Sequence, residues 1–138
     1  MGTIVVGVDG SETALAAAMR SAEIARALGD SLHVVSAVTS DKKSNVRTDG
    51  TRWTITSLDA AENTLADVVT RLPTDLDKTT AAVTAKPAEA LIQEAERVGA
   101  TLIIVGNKNM HGIGRVLGSV ANDVAHHAPC DVLIVKTT

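Results

Sequence analysis

Residues 101–136 read TLIIVGNKNMHGIGRVLGSVANDVAHHAPCDVLIVK. The β-branched run Thr101–Val105 predicts a buried strand, and Asp131–Lys136 predicts a closing strand. Between them, Gly106–Leu117 predicts a glycine-containing loop and Ser119–His127 a short helix. A strand, a loop, a helix and a second strand in this order predict two parallel strands joined by a right-handed crossover.

The chain before residue 101 repeats this alternation. Ser11 offers a hydroxyl that can cap a helix, and Gly29 supplies a residue that can end one. The predicted strands are Thr3–Val8, Leu32–Val38 and a weaker one within Lys78–Ala85, and the predicted helices are Thr13–Leu28, Ser57–Leu72 and Pro87–Val98. The order βαβαβαβαβ predicts an α/β fold with a parallel sheet and helices on both faces.

One further segment, Ser40–Thr56, is polar and rich in charged residues. The sequence predicts a mobile excursion there.

Composition limits the class of protein. The 138 residues fit a single domain over 1–138, and 45% of them are hydrophobic although Trp53 is the only aromatic residue. A core of Val, Ile, Leu and Ala suits a parallel sheet covered on both faces. The net charge of −3 and the lack of stacking aromatics argue against a nucleic-acid partner.

The single cysteine, Cys130, excludes an intramolecular disulfide and fits a reducing compartment. We find no signal-peptide pattern at the N-terminus and no apolar run long enough to span a bilayer. The sequence therefore predicts a cytoplasmic protein without a membrane partner.

Two predicted strand ends carry polar or glycine residues, in Val8-Asp9-Gly10-Ser11 and Val105-Gly106-Asn107-Lys108. Ligands of parallel α/β sheets bind beyond the carboxyl ends of the strands, where the winding direction reverses. These two ends are therefore the first candidates for a binding site.

The loop glycines Gly106, Gly112, Gly114 and Gly118 lead into a helix start. Free backbone N–H groups of Gly118, Ser119 and Val120 would bind a phosphate at the positive end of the helix dipole. The alternative is a surface loop whose glycines only form turns. No segment fits the G-x4-G-K-[ST] P-loop, and the GxGxxxG-like run from Gly112 to Gly118 lies too far from its strand for a dinucleotide fold.

The sequence resembles the universal stress protein family over nearly its whole length. The resemblance is carried by VVGVDGS (Val5–Ser11), PAEALIQEAE (Pro87–Glu96), TLIIVGN (Thr101–Asn107) and GRVLGSVANDVAHHAPCDVLIVK (Gly114–Lys136). It implies a three-layer fold with a five-stranded parallel sheet in the order 3-2-1-4-5. It also implies a nucleotide across the ends of strands one and four, and a homodimer through the last strand, with Val132, Leu133, Ile134 and Val135 at the dimer edge.

The ATP-binding branch of that family carries G-x2-G-x9-G-[ST], and this chain departs from the pattern. Asn109 stands at the second glycine, and eight residues instead of nine follow before Gly118. Asn tolerates left-handed backbone better than most residues, so Asn109 could hold the same turn. Gly112 or Gly114 is expected to take over part of the phosphate contact.

By the same resemblance, Asp9 faces the nucleotide directly or through Mg²⁺ and water, and the backbone of Ala37 contacts adenine. Asp9-Gly10 is alternatively a plain turn before a helix. His33 is interpreted as a strand residue without a chemical role.

Together these features predict a dimeric regulatory protein that binds ATP and changes its contacts with a regulatory protein partner. Two alternatives stay open: binding of cyclic AMP, and a nucleotide-free interaction module, to which Asn109 and the shortened loop point. No general base is evident beside Asp9, so we expect no enzyme activity beyond very slow ATP hydrolysis.

Overall fold

The computed structural model describes residues 2–39, 43–48, 51–107 and 118–137, and of 43–48 and 51–56 it describes the backbone alone. Strands and helices alternate through most of this length. In chain order the elements are β1 (Thr3–Gly7), α1 (Glu12–Leu28), β2 (Ser31–Val38), β3 (Lys43–Thr48), β4 (Thr51–Thr56), α2 (Ser57–Arg71), β5 (Lys78–Thr84), α3 (Pro87–Val98), β6 (Leu102–Asn107), α4 (Ser119–His127) and β7 (Asp131–Lys136).

Five of the strands form one parallel sheet in the order β5-β2-β1-β6-β7. Because β3 and β4 pair only with each other, this order is the predicted 3-2-1-4-5. The predicted fold class is therefore confirmed. Strand β1 lies at the centre, with Val6 opposite Val34 on one side and Ile104 on the other.

Helices cover the sheet on both faces. Ile4, Val6 and Val8 pack with α1 and α2 in one apolar cluster. Val5 points to the opposite face and packs with α3 and α4 in a second cluster. Successive strand residues alternate between faces, so a strand covered on both sides must be apolar throughout. This explains the uninterrupted aliphatic run of β1.

The helix ends follow local chemistry. The Ser11 hydroxyl accepts from the N–H of Ala14 and caps α1. Gly29 and Gly99 end α1 and α3 with φ of 71° and 64°, in the left-handed region that a side chain disfavours. In the described part of the chain, no helix combines the length and the apolar character needed to cross a membrane.

The segment predicted as a mobile excursion, Ser40–Thr56, contains the antiparallel pair β3–β4, which was not predicted from the sequence. The missed signal is Asp49-Gly50 between two threonine-containing runs, the dipeptide that most strongly marks a hairpin in a sequence. A second difference concerns β6, which continues to Asn107, so Gly106 and Asn107 belong to the strand and not to the loop.

A polar network centred on the buried residues His33 and Glu94 lies on the α3 face of the sheet. His33 on β2 is 2% exposed, and its Nδ1 lies 2.6 Å from the Thr79 hydroxyl on β5. Its Nε2 lies 2.8 Å from Oε1 of Glu94 on α3. Arg97 donates two hydrogen bonds to the same carboxylate, at 2.9 and 2.7 Å. The network joins two strands and a helix through one histidine.

Hydrogen bonding from Arg97 lowers the pKa of Glu94 from 4.5 to about 2, helped by His33 and opposed by burial. A carboxylate with a depressed pKa contributes stability above its unfolded pKa and loses it as the pH falls through the folded pKa.

We therefore predict that Glu94→Gln lowers the free energy of unfolding by up to about 3 kcal/mol at pH 7. The difference from wild type should narrow between about pH 5 and pH 2, the window set by the two pKa values. Urea unfolding across this range measures it. Glu96→Gln, at an exposed position of the same helix, is the control and should change stability by less than about 0.5 kcal/mol. If the difference in free energy of unfolding between Glu94→Gln and wild type did not change with pH, this would contradict the lowered pKa of Glu94.

Candidate functional site

A cleft of about 420 Å³ opens at the carboxyl ends of the central strands. Its volume lies within the range of small-molecule sites. The described residues that line it are Gly7, Val8, Asp9, Ser11, Thr13, Ala14, Val35, Ala37, Pro87, Leu91, Val105, Gly106, Asn107, Gly118, Ser119, Val120, Ala121 and Thr137.

The topology explains why the cleft lies there. Strand β1 leads into α1 on one face of the sheet, whereas its neighbour β6 is followed by α4 on the other face. The two helices therefore lie on opposite faces of the sheet, and parallel α/β sheets bind ligands at such a reversal of winding. The cleft occupies this point of reversal between β1 and β6.

Asp9 is held at the mouth of the cleft by the turn that begins α1. Its Oδ1 accepts from the backbone N–H of Ser11 at 2.9 Å and from the Ser11 hydroxyl at 2.6 Å. Gly10, with φ of 86°, supplies the left-handed residue that this turn requires. Asp9 is exposed and lines the cleft, so it both forms the turn and faces a ligand space.

Asn107 fixes the start of α4 on the other side. Its side chain is 5% exposed, and its Oδ1 accepts from the N–H of Gly118 at 3.2 Å. Gly118 is the N-cap of α4 and, as a glycine, brings no side chain of its own to cap that helix. Backbone N–H groups in a first helical turn have no carbonyl partner within the helix, and they carry the positive end of its dipole. Ser119 and Val120 present this end to the cleft.

Glycine at position 106 is required by packing. A Cβ there would lie 2.9 Å from Cγ2 of Thr137 and 3.1 Å from Cβ of Ala17. Gly7 meets a similar constraint, since its Cβ would lie 3.1 Å from Cδ2 of Leu91. These glycines let α1 and α3 approach the strand ends, and they keep the floor of the cleft free of side chains.

The wall nearest β2 is apolar. Val35 and Ala37 on β2 lie across from Pro87 and Leu91 at the start of α3. This part of the cleft offers aliphatic surface and the main chain of Ala37, which suits a flat heterocycle better than a charged group.

Most of the residues predicted from the sequence are brought together here. Val8, Asp9, Ser11, Ala37, Gly106, Asn107, Gly118, Ser119 and Val120 all line the cleft. Gly10 forms the adjoining turn but is not among the lining residues. Asn109, Gly112 and Gly114, the other predicted positions, lie outside the described residues.

Nine of the described lining residues were missed by sequence reasoning, namely Gly7, Thr13, Ala14, Val35, Pro87, Leu91, Val105, Ala121 and Thr137. Thr137 directly follows the predicted last strand, so its place at a carboxyl strand end was available as a signal. Its Oγ1 is buried and has no hydrogen-bond partner among the described residues.

Metal-binding capacity in the described residues is limited. No group of three His, Cys, Asp or Glu side chains that could hold a metal ion is found in this part of the chain. Asp9 is the one carboxylate in the described lining. Mg²⁺ commonly uses one or two protein carboxylates together with ligand phosphates, so Asp9 fits a metal shared with a phosphate ligand.

Strand β7 forms one edge of the sheet and, in the described structure, pairs only with β6. Leu133 is 38% exposed there, and Val132, Ile134 and Val135 are half-buried. An apolar edge strand of this kind is a template for pairing with another strand.

Comparison with known proteins places these features in context. The sequence matches the Universal stress protein family over residues 1–136. Universal stress protein Rv1636 of Mycobacterium tuberculosis is 32% identical over 99% of this chain and 97% of its own length. Universal stress protein A homolog 2 of Coxiella burnetii is 51% identical, but over only 36% of this chain and 35% of its own length.

Solved structures share the fold. A universal stress protein in complex with cAMP has a TM-score of 0.75 and 31% identity, covering 99% of this chain and 98% of its own. The Archaeoglobus fulgidus universal stress protein in complex with dAMP has a TM-score of 0.71 and 24% identity, with the same coverage. At 24% identity, the similarity to the Archaeoglobus fulgidus structure supports the fold alone.

Proposed function

The chain belongs to the universal stress protein family, and from this premise we propose that it binds an adenine nucleotide, foremost ATP, in the cleft between β1 and β6. The observation that carries the proposal is the meeting of three surfaces in one cleft. These are an apolar wall at β2, a fixed carboxylate at β1 and the start of α4 beside β6.

The base is assigned to the apolar wall. Val35, Ala37 and Leu91 would cover the faces of adenine, and the main chain of Ala37 would bond its polar edge. A main-chain contact discriminates by donor and acceptor pattern and needs no particular side chain at this position.

We assign the sugar to the end of β1 and the phosphates to the start of α4, in the order in which these elements follow from β2 across the sheet. Asp9 at the end of β1 would accept hydrogen bonds from ribose hydroxyls or hold Mg²⁺ together with a phosphate. The N–H groups of Ser119 and Val120 would bind phosphate oxygens at the positive end of the α4 dipole.

Cyclic AMP is the second candidate, favoured by the structure of a 31% identical relative in complex with it. Its single phosphate carries one charge, which the start of α4 could hold without a metal ion. Titrating the nucleotide-stripped protein with each nucleotide, with and without Mg²⁺, distinguishes the candidates. No binding of either would favour the nucleotide-free interaction module.

We propose that the bound nucleotide is a signal and not a substrate. Asp9 already accepts two hydrogen bonds from Ser11, and no other carboxylate or histidine is present in the described lining to act as a general base. Turnover of ATP should therefore be very slow compared with binding.

We predict that Gly118→Val lowers ATP affinity at least tenfold, about 1.4 kcal/mol, because its methyl groups occupy the phosphate position at the start of α4. The fold should persist, since a Cβ at this position lies 3.4 Å from Oδ1 of Asn107 and the φ of −63° suits any residue. Calorimetric titration measures the affinity and circular dichroism the fold. Gly118→Ala, which adds only that Cβ, is the graded control, and unchanged affinity in Gly118→Val would refute the phosphate site.

The second part of the proposal is a homodimer through β7. Pairing of two β7 strands would cover Leu133, and it would give hydrogen-bond partners to the main-chain N–H and C=O groups at this edge of the sheet. A dimer would let nucleotide binding in each subunit alter a shared surface that a regulatory partner contacts.

We predict that Leu133→Lys yields a folded monomer, because a charged side chain on an edge strand opposes strand pairing. Sedimentation velocity measures the change against a dimeric wild type. Leu28→Lys is the control, since Leu28 is an exposed leucine on α1 and outside the sheet edge. A dimer that persists in Leu133→Lys would show that another surface forms the interface.

A further inference from the structure

We propose that Thr137 is a ligand-contacting residue that selects nucleotides with an extended phosphate chain. This inference rests on the proposed function, since it assigns a role within the same cleft. The Thr137 hydroxyl is buried and has no hydrogen-bond partner among the described residues, and Thr137 is one of the residues that line the cleft.

Buried polar atoms in folded proteins nearly always have a partner, because an unpaired one is unfavourable. The Thr137 hydroxyl has already lost its water, so a hydrogen bond to a ligand oxygen would cost it no further desolvation. A buried donor without a partner therefore contributes more binding free energy through a hydrogen bond to a ligand than an exposed donor does. A phosphate oxygen is the strongest acceptor that the proposed ligands offer.

The surrounding packing holds Thr137 at the end of the cleft. The absence of a side chain at Gly106 makes room for the Thr137 methyl group, which would lie 2.9 Å from a Cβ at that position. Ala17 closes the same space from α1, with its Cβ 3.1 Å from that position. Two small residues on neighbouring elements thus allow the threonine to approach β6 closely.

The position of Thr137 across the sheet supplies the selectivity. Ala37 is near the end of β2 and Thr137 follows β7, so three strand spacings separate them in the order β2-β1-β6-β7. At about 4.8 Å a spacing, this is roughly 14 Å. With the base at β2 and the first phosphate at α4 beside β6, only the outer phosphates of a nucleoside di- or triphosphate would extend to β7.

The test uses the full chain and compares wild type, Thr137→Val and Thr137→Ser by calorimetric titration with ATP, AMP and cyclic AMP. Valine keeps the shape and removes the hydroxyl, and serine restores the hydroxyl. We expect Thr137→Val to weaken ATP binding about tenfold or more and to change AMP and cyclic AMP binding less than about twofold. Thr137→Ser should keep most of the ATP affinity.

Thr84→Val is the matched control, because Thr84 ends the opposite edge strand β5, is exposed and is not among the described lining residues. It should leave the affinity for all three nucleotides unchanged. Urea unfolding of the nucleotide-free proteins gives a second readout. The midpoint of Thr137→Val should equal or exceed that of wild type, because the hydroxyl that it loses has no partner.

Unchanged ATP affinity in Thr137→Val, with ATP bound by wild type, would overturn this inference and leave the proposed function standing. Equal weakening for all three nucleotides would overturn the selectivity, and a lowered midpoint would show that the hydroxyl is bonded within the protein. Wild type that binds none of the three would overturn the proposed function and this inference together.

Discussion

The reversal of winding between β1 and β6 is the constraint on which the site depends. From β1 the chain builds outward through β2 to β5 with helices on one face, and α3 then returns it to β6 on the other face. The helices that follow β1 and β6 then lie on opposite faces of the sheet, the arrangement in which ligands bind at the carboxyl ends of the strands. The position of the cleft therefore follows from the topology of the sheet and does not depend on particular side chains.

Packing then determines which residues can form the cleft. Gly7 and Gly106 are where α3 and α1 come closest to the strand ends, and a Cβ at either position would be crowded. The start of α4 lies against Asn107, whose buried amide oxygen accepts a hydrogen bond from the N–H of Gly118. Among the described residues, several features suited to a nucleotide are therefore consequences of close packing around the strand ends.

Much of the architecture could be predicted from the sequence, because buried aliphatic runs and helix caps are local signals. The bounds of α3, α4 and β7 agree with the prediction to the residue. The β3–β4 hairpin was missed because charged residues outweighed the Asp49-Gly50 signal. His33 was interpreted as having no role, since its contacts with Thr79 and Glu94 join residues that are 46 and 61 positions away. Thr137 directly follows a predicted strand, but the burial of its hydroxyl without a partner among the described residues is a property of the folded chain alone.

The most direct test of the central claim is the change in backbone amide chemical shifts when ¹⁵N-labelled protein is titrated with ATP. A nucleotide between β1 and β6 predicts the largest changes at Ser11, Ala37, Asn107 and residues 118–120, which line one cleft. Small changes are predicted at the amino ends of the strands, around Asp30 and Asp77. The largest changes at that opposite end, or none anywhere at saturating ATP, would contradict the account.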